Sequence, residues 1–144
     1  MAQKEQKSWA ERKLEEVEEQ LRGLESESSQ DPGQEWDLAQ LLYRRASLLA
    51  RLKRWDECLR AYDQFLQCFP HPQGTKFRQL VAQALFDKGT ILLHQQDQQE
   101  AGLQVYRELV ERFRLDKNVT LRRLVSGAQS MIDLFESRNP FGPE

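Results

Sequence analysis

Histidine and cysteine, the side chains that most often carry out chemistry, are few in this chain and widely spaced. His71 lies between two prolines, and His94 ends an apolar helical stretch. Neither has a second His, Cys or carboxylate at the spacing of metal ligands. Cys58 and Cys68 would lie about 280° apart around one helix, so they cannot easily bridge each other. We therefore predict no metal site and a reducing location, the cytoplasm.

The acidic side chains near the start of the chain are the next candidates for chemistry. Glu15-Glu16 and Glu18-Glu19 are paired carboxylates next to Lys13 and Arg22. On a helix this mixture is typical of a solvated charged face and not of a general acid–base pair. The sequence contains no glycine-rich phosphate loop and no serine or cysteine nucleophile motif. We therefore predict that the protein is not an enzyme and binds no cofactor.

Charge provides the clearest indication of a partner class. The net charge of -2 argues against a protein that mainly holds nucleic acid or an anionic membrane. No apolar run approaches the roughly 18 residues that span a bilayer. One segment is locally basic, through Arg44, Arg45, Arg51, Lys53, Arg54 and Arg60. This segment is either ordinary helix surface or a basic rim that attracts an acidic peptide, so the predicted partner is another protein or peptide, with an acidic one as an option.

The elements that must position these side chains are helices. The chain has 21 Leu and 17 Gln but only 11 Val, Ile and Thr together, which favours helix over sheet. Apolar residues recur at spacings of three and four in segments that polar or proline-containing turns separate. We expect Thr75 to cap one helix, and Asp97 with Glu100 to form the capping box of the next. The last helix is expected to begin near Thr120.

The first predicted helix, from about Lys4 to Glu25, carries one apolar seam on a highly charged surface. The seam consists of Ala10, Leu14, Val17, Leu21 and Leu24. It lasts about two heptads, fewer than the three to four that indicate a coiled coil. This length favours packing against the rest of the same chain, and a coiled-coil homodimer remains the alternative.

Two of the predicted helix pairs repeat the same pattern of small and bulky residues. In the first helices, the recurring positions are Leu42, Ala46 and Leu49, then Leu85, Gly89 and Leu92, with an offset of 43. In the second helices, they are Cys58, Tyr62, Phe65 and Phe69, then Gly102, Tyr106, Leu109 and Phe113, with an offset of 44. Small residues let two helices approach, and the ring one turn later fills the groove of the neighbour. The repetition predicts stacked helix hairpins.

This pattern resembles the tetratricopeptide repeat (TPR) family. Matching positions in the first repeat are Leu42, Ala46 and Leu49 in the first helix, Cys58 in the usual alanine place, and Tyr62, Phe65 and the closing Pro70 in the second. The second repeat has a longer turn and no closing proline. The resemblance implies an all-α fold of stacked antiparallel helix hairpins, a TPR-like α-solenoid of about six helices.

In TPR proteins the first helix of each pair usually lines a concave surface. The resemblance therefore implies a groove formed by Tyr43, Ser47, Arg51, Phe86, Thr90, Leu93, His94, Arg122, Val125 and Gln129. Tyr43 and Phe86 fall on the face opposite the packing residues, which makes them candidate anchors for a partner.

The predicted organisation has three segments. Residues 1–30 form a charged amphipathic helix, acting as a cap or for dimerisation, and a linker. Residues 31–136 form the TPR-like repeat domain, and residues 137–144 a flexible tail. The predicted function is that of a scaffold or adaptor, a non-catalytic module that binds a partner peptide or helix in the groove. The alternative is a structural subunit or oligomerisation module of a larger complex, acting through its first helix.

Overall fold

A computed structural model describes residues 6–25 and 32–138 of the chain, and within them the secondary structure is helical, with no strand. The helices are α1 (Trp9–Glu25), α2 (Pro32–Arg51), α3 (Trp55–Cys68), α4 (Thr75–Leu93), α5 (Gln99–Phe113) and α6 (Val119–Arg138). The predicted all-α class is confirmed. In the described part of the chain, no helix combines the length and the apolar character needed to cross a bilayer.

Helix α1 begins later than the predicted residue Lys4, because Ser8 caps its first turn. Residues 6–8 are not helical, and the predicted start at Lys4 lies outside the described residues. The Ser8 hydroxyl oxygen accepts a hydrogen bond from the backbone N–H of Glu11 at 3.2 Å. Ser followed three residues later by Glu is a capping-box pattern, and it places the first turn at Trp9.

The two caps predicted in the second half of the chain are not formed. Gly74 precedes the first turn of α4 with a φ of 87°, so Thr75 is the first helical residue and not the cap. A glycine reaches this left-handed conformation without steric cost, and the helix therefore begins directly after it. At α5 the preceding residue is Gln98, without a side-chain cap, and the predicted pair of Asp97 and Glu100 does not form a capping box.

The helices form two compact units, Met1–Pro70 and His71–Glu144. In the first unit α1 packs against α2 and α2 against α3. In the second unit α5 packs against both α4 and α6, and α4 also contacts α6.

The core of the first unit includes the predicted seam of α1. Leu14, Val17 and Leu21 are buried, each with at most 4% of its surface exposed. Since α1 contacts α2, this seam is occupied within the same chain. The core also contains Ala39, Leu42, Ala46, Leu48, Leu49, Cys58, Ala61, Tyr62, Phe65 and Phe69.

The core of the second unit is built from one side of each of its three helices. Its largest fully buried side chains include Tyr106, Leu85, Leu109 and Leu121. At the end of the unit, α6 continues through Arg138 and so includes the first two residues of the segment predicted as a tail. Residues 139–144 lie outside the described part of the chain.

Candidate functional site

The first helix hairpin, α2 with α3, is held together by a close approach and a group of rings. The Cys58 thiol donates a hydrogen bond to the backbone carbonyl oxygen of Ala46 at 3.2 Å. One turn away, the ring of Tyr43 meets the rings of Tyr62 and Phe65 edge-on, with centroids 6.1 and 6.2 Å apart. Such edge-to-face pairs stabilise a helix contact beyond the area that they bury. Tyr43 is therefore part of the packing between α2 and α3.

The second hairpin, α4 with α5, repeats this arrangement with glycines. A Cβ placed on Gly102 would lie 2.9 Å from the carbonyl oxygen of Gly89, so the two backbones almost touch. One turn away, the rings of Phe86 and Tyr106 lie 5.3 Å apart. The hydroxyls of Thr90 and Tyr106 are hydrogen-bonded at 2.6 Å, and burial raises the pKa of the Tyr106 phenol.

Equivalent residues of the two predicted repeats therefore make equivalent contacts. Ala46 with Cys58 corresponds to Gly89 with Gly102, and Tyr43 with Tyr62 corresponds to Phe86 with Tyr106. The offsets of 43 and 44 that relate them in sequence are those read from the small and bulky residues. In both hairpins, the small residues and the aromatic residues at the repeated positions therefore contact each other.

The face of α2 that includes two predicted partner-binding residues lies against α1. A cleft of about 360 Å³ between α1 and α2 is lined by Trp9, Lys13, Arg44, Ser47, Leu48 and Arg51. A second cleft of about 430 Å³ lies further along the same two helices and is lined by Gln20, Gly23, Leu24, Asp37, Gln40, Leu41 and Arg44. Because Arg44 lines both, the two clefts form one groove along α1 and α2, which we call the α1–α2 groove. It brings together the predicted residues Ser47 and Arg51.

The first of these clefts combines an exposed aromatic ring with positive charge. Trp9 has 53% of its surface exposed, and the guanidinium carbon of Arg51 lies 5.4 Å from the centre of its ring. This cation–π contact holds both side chains at the rim of the cleft. Lys13 forms an exposed ion pair with Glu16 at 3.2 Å. No carboxylate lines this cleft among the residues that the structure describes.

The predicted residues of α4 lie mostly against neighbouring helices of the second unit. A Cβ on Gly127 of α6 would lie 3.2 Å from the Phe86 ring, so α6 covers this side of Phe86. Leu93 is 4% exposed and packs close to Gly102 of α5. Thr90 is half-buried through its bond to Tyr106, while His94 is exposed at the end of α4. Within the second unit, Phe86 is therefore half-buried and Leu93 buried.

The predicted residues of α6 lie on a different side of that helix. Arg122, Val125 and Gln129 share one face because they are three and four residues apart. Gln129 lines a cleft of about 440 Å³ between α5 and α6, so it lies on the side of α6 toward α5. Gly127, which contacts Phe86 of α4, lies about 200° away around the helix. The structure therefore does not bring Gln129 and Phe86 onto one surface.

The residues that the sequence analysis missed are those that α1 contributes to the α1–α2 groove. Trp9 and Lys13 are four residues apart and so share a face of α1, next to the apolar seam. The available signal was a large aromatic residue outside the seam of a charged amphipathic helix, where burial does not explain it.

The remaining candidates for chemistry are isolated in the structure. Cys58 is buried and Cys68 exposed, and neither forms a disulfide bond. His71 is exposed in the connection that precedes α4. Within residues 6–25 and 32–138, no three side chains of His, Cys, Asp or Glu are grouped as metal ligands.

Comparisons with models of known protein families, with curated proteins and with solved structures found no match for this chain.

Proposed function

We propose that this protein is a non-catalytic interaction module that binds a partner protein through helix hairpins of the TPR type. The repeated hairpin contacts support the TPR-like assignment. Ala46 with Cys58, and Gly89 with Gly102, put small residues at the closest approach of both helix pairs. An aromatic pair one turn away follows in both. Such modules serve as scaffolds or adaptors, whose preformed surfaces bind with little ordering cost.

The observation that carries this proposal is the exposed Trp9 in the cleft of the α1–α2 groove. Tryptophan and arginine are enriched among the residues that dominate binding energies at interfaces. Here Trp9 and Arg51 stand together at the rim of a concave surface. We place the partner in this groove rather than on Tyr43 or Phe86, because both of those rings pack inside their own hairpins.

In this proposal α1 forms one wall of the binding surface and is not a dimerisation element. Its apolar seam is already buried, and dimerisation through it would require Leu14, Val17 and Leu21 to leave the core of the first unit. A reducing compartment such as the cytoplasm suits the protein, since both of its cysteines are free.

The experiment that tests the proposal is affinity capture with quantitative mass spectrometry, comparing the wild type with Trp9→Ala and Arg51→Glu. Both residues are exposed, so we expect the variants to fold normally and to lose the same specific partner. Arg60→Glu makes the same charge change at an exposed position of α3 outside the groove. This control variant should still capture the partner. A partner that is captured equally by all four proteins would show that the α1–α2 groove is not the binding surface.

A further inference from the structure

The two repeats carry different charges on equivalent helix faces. In α2 the face toward the groove presents Asp37, Gln40, Arg44, Ser47 and Arg51. The residues 43 positions later are Leu80, Gln83, Asp87 and Thr90 in α4, and His94 directly after it. Two arginines in the first repeat thus correspond to an aspartate and a histidine in the second. The hairpin geometry is common to both repeats, so packing alone does not require arginine at either position.

The cleft is basic although its surroundings are acidic. Its lining contains Lys13, Arg44 and Arg51 and no carboxylate. Among the described residues, neither Arg44 nor Arg51 forms an ion pair. Glu16 forms an ion pair with Lys13 of this cleft at 3.2 Å, and Asp37 lines the other cleft of the same groove. A long polyanion or an anionic bilayer would meet these carboxylates as well, whereas a short acidic segment can contact the arginines alone.

We infer that the α1–α2 groove binds an acidic peptide segment of a partner protein, in which carboxylates flank one apolar side chain. This inference rests on the proposed function and specifies the chemistry of the partner. The guanidinium groups of Arg44 and Arg51 are suited to bidentate contacts with carboxylates. The apolar side chain packs on the exposed ring of Trp9 and on Leu48 at the bottom of the same cleft.

The spacing of the arginines sets the spacing of the acidic residues. Seven residues separate Arg44 from Arg51, which corresponds to about 10 Å along a helix. Side chains of an extended peptide alternate between two faces, so carboxylates that share a face are an even number of residues apart. At about 3.3 Å per residue, a separation of four residues spans about 13 Å, and the long arginine side chains cover the remaining difference. The matching segment therefore has an apolar residue midway between two acidic residues that are four positions apart, so that all three side chains lie on one face.

The test uses two synthetic peptides and the full chain. One peptide carries two glutamates separated by serine, leucine and serine, and the other has lysines in place of the glutamates. Binding is followed by the indole N–H signal of Trp9 in two-dimensional NMR, which resolves it from the other tryptophans. We expect the glutamate peptide to shift the signal, with an affinity that falls as salt rises, and the lysine peptide to leave it unchanged.

The matched variant exchanges the first repeat's charges for those of the second, as Arg44→Asp with Arg51→His. Because Asp87 of α4 and His94 directly after it occupy the equivalent positions of the second repeat, the hairpin should tolerate them, which circular dichroism checks. We expect this variant to bind the glutamate peptide at least about tenfold more weakly, owing to two lost charge contacts. The control, Arg60→Asp with Arg22→His, makes the same charge change at exposed positions outside the groove, and should bind as the wild type does.

Four results would overturn the inference. They are an unchanged Trp9 signal with the glutamate peptide, an equal shift with the lysine peptide, preferential binding to vesicles of anionic lipid, and self-association that the matched variant abolishes. The proposed function fails separately. If Trp9→Ala and Arg51→Glu lose a cellular partner that the glutamate peptide cannot displace, the groove remains a binding surface and only the acidic chemistry is wrong.

Discussion

In the second unit, two glycines face each other where the backbones of α4 and α5 approach closely. A Cβ on Gly102 would lie 2.9 Å from the carbonyl oxygen of Gly89 and 2.9 Å from the amide nitrogen of Leu93. Both of these atoms belong to the backbone of α4, which cannot give way as a flexible side chain would. The glycine that weakens α5 as an isolated helix is therefore required by the packing of α4 against α5.

This contact predicts that Gly102→Ala destabilises the protein, whereas helix propensity alone would predict that it stabilises it. For Gly102→Ala, we expect overpacking of about 1–3 kcal/mol to exceed the gain of about 1 kcal/mol in helix propensity. The free energy of unfolding should therefore fall, as measured by urea denaturation followed by circular dichroism. Gly23→Ala is the control, because a Cβ there meets nothing within 4 Å, and it should raise the free energy of unfolding by about 0.5–1 kcal/mol. A stabilised Gly102→Ala protein would show that α4 and α5 are further apart.

At the scale of the elements, the connection between α5 and α6 is tied to the start of α4. The Arg78 guanidinium donates to the Asp116 carboxylate at 2.8 Å, and the amide of Gln79 donates to the side-chain oxygen of Asn118 at 3.1 Å. Asp116 also accepts the backbone N–H of Asn118 at 2.9 Å. This backbone bond, together with Arg78, holds the pKa of Asp116 below its usual range.

The lowered pKa of Asp116 predicts how stability depends on pH. Since the folded state holds this carboxylate in its ionised form, its contribution is present above the unfolded pKa, about 3.9. It is lost as the pH falls through the lower folded value. As the pH falls below about 5, the free energy of unfolding of Asp116→Asn should therefore decrease less than that of the wild type. Denaturation experiments at several pH values measure this difference. Asp97→Asn, in the exposed turn before α5, should behave as the wild type does, and equal pH profiles for all three proteins would contradict the assignment.

The packing of α1 predicts the effect of removing part of its seam. Leu21 is 3% exposed within the first unit, so Leu21→Ala should lower the free energy of unfolding by about 2–5 kcal/mol. Glu19→Ala, on the exposed side of α1, should change it by no more than about 0.5 kcal/mol. Analytical ultracentrifugation should show the same oligomeric state for both variants and the wild type. A change of that state in Leu21→Ala alone would favour the seam as a dimer interface.

For the whole molecule, the division into two compact units predicts that each half carries enough core to fold. Each unit contains three helices and its own set of buried apolar residues. Units of this size are only marginally stable, so we expect lower melting temperatures than for the full chain. The fragments 1–70 and 71–144 should nevertheless both give the circular dichroism spectrum of a helical protein with a cooperative thermal transition. A fragment that is unfolded in the cold would show that its core is incomplete.

The sequence alone determined the local features of this protein. Helical periodicity predicted the six helices, because the spacing of apolar residues follows directly from the geometry of one helix. The repeat pattern also indicated that small residues allow the helices to approach, and in the structure Ala46 contacts Cys58 and Gly89 lies against Gly102. The cap of α1 at Ser8 also follows from a local pattern, because Glu11 stands three residues after this serine.

Only the tertiary structure decided which faces remain open. Phe86 and Leu93 lie on helix positions that a TPR comparison assigns to a groove, yet Gly127 of α6 covers one and Gly102 of α5 contacts the other. Trp9 and Arg51 are far apart in sequence. The antiparallel packing of α1 on α2 brings the guanidinium carbon of Arg51 to 5.4 Å from the centre of the Trp9 ring. The periodicity of a helix specifies which residues share a face, but the neighbouring helices determine whether that face is buried or forms a cleft.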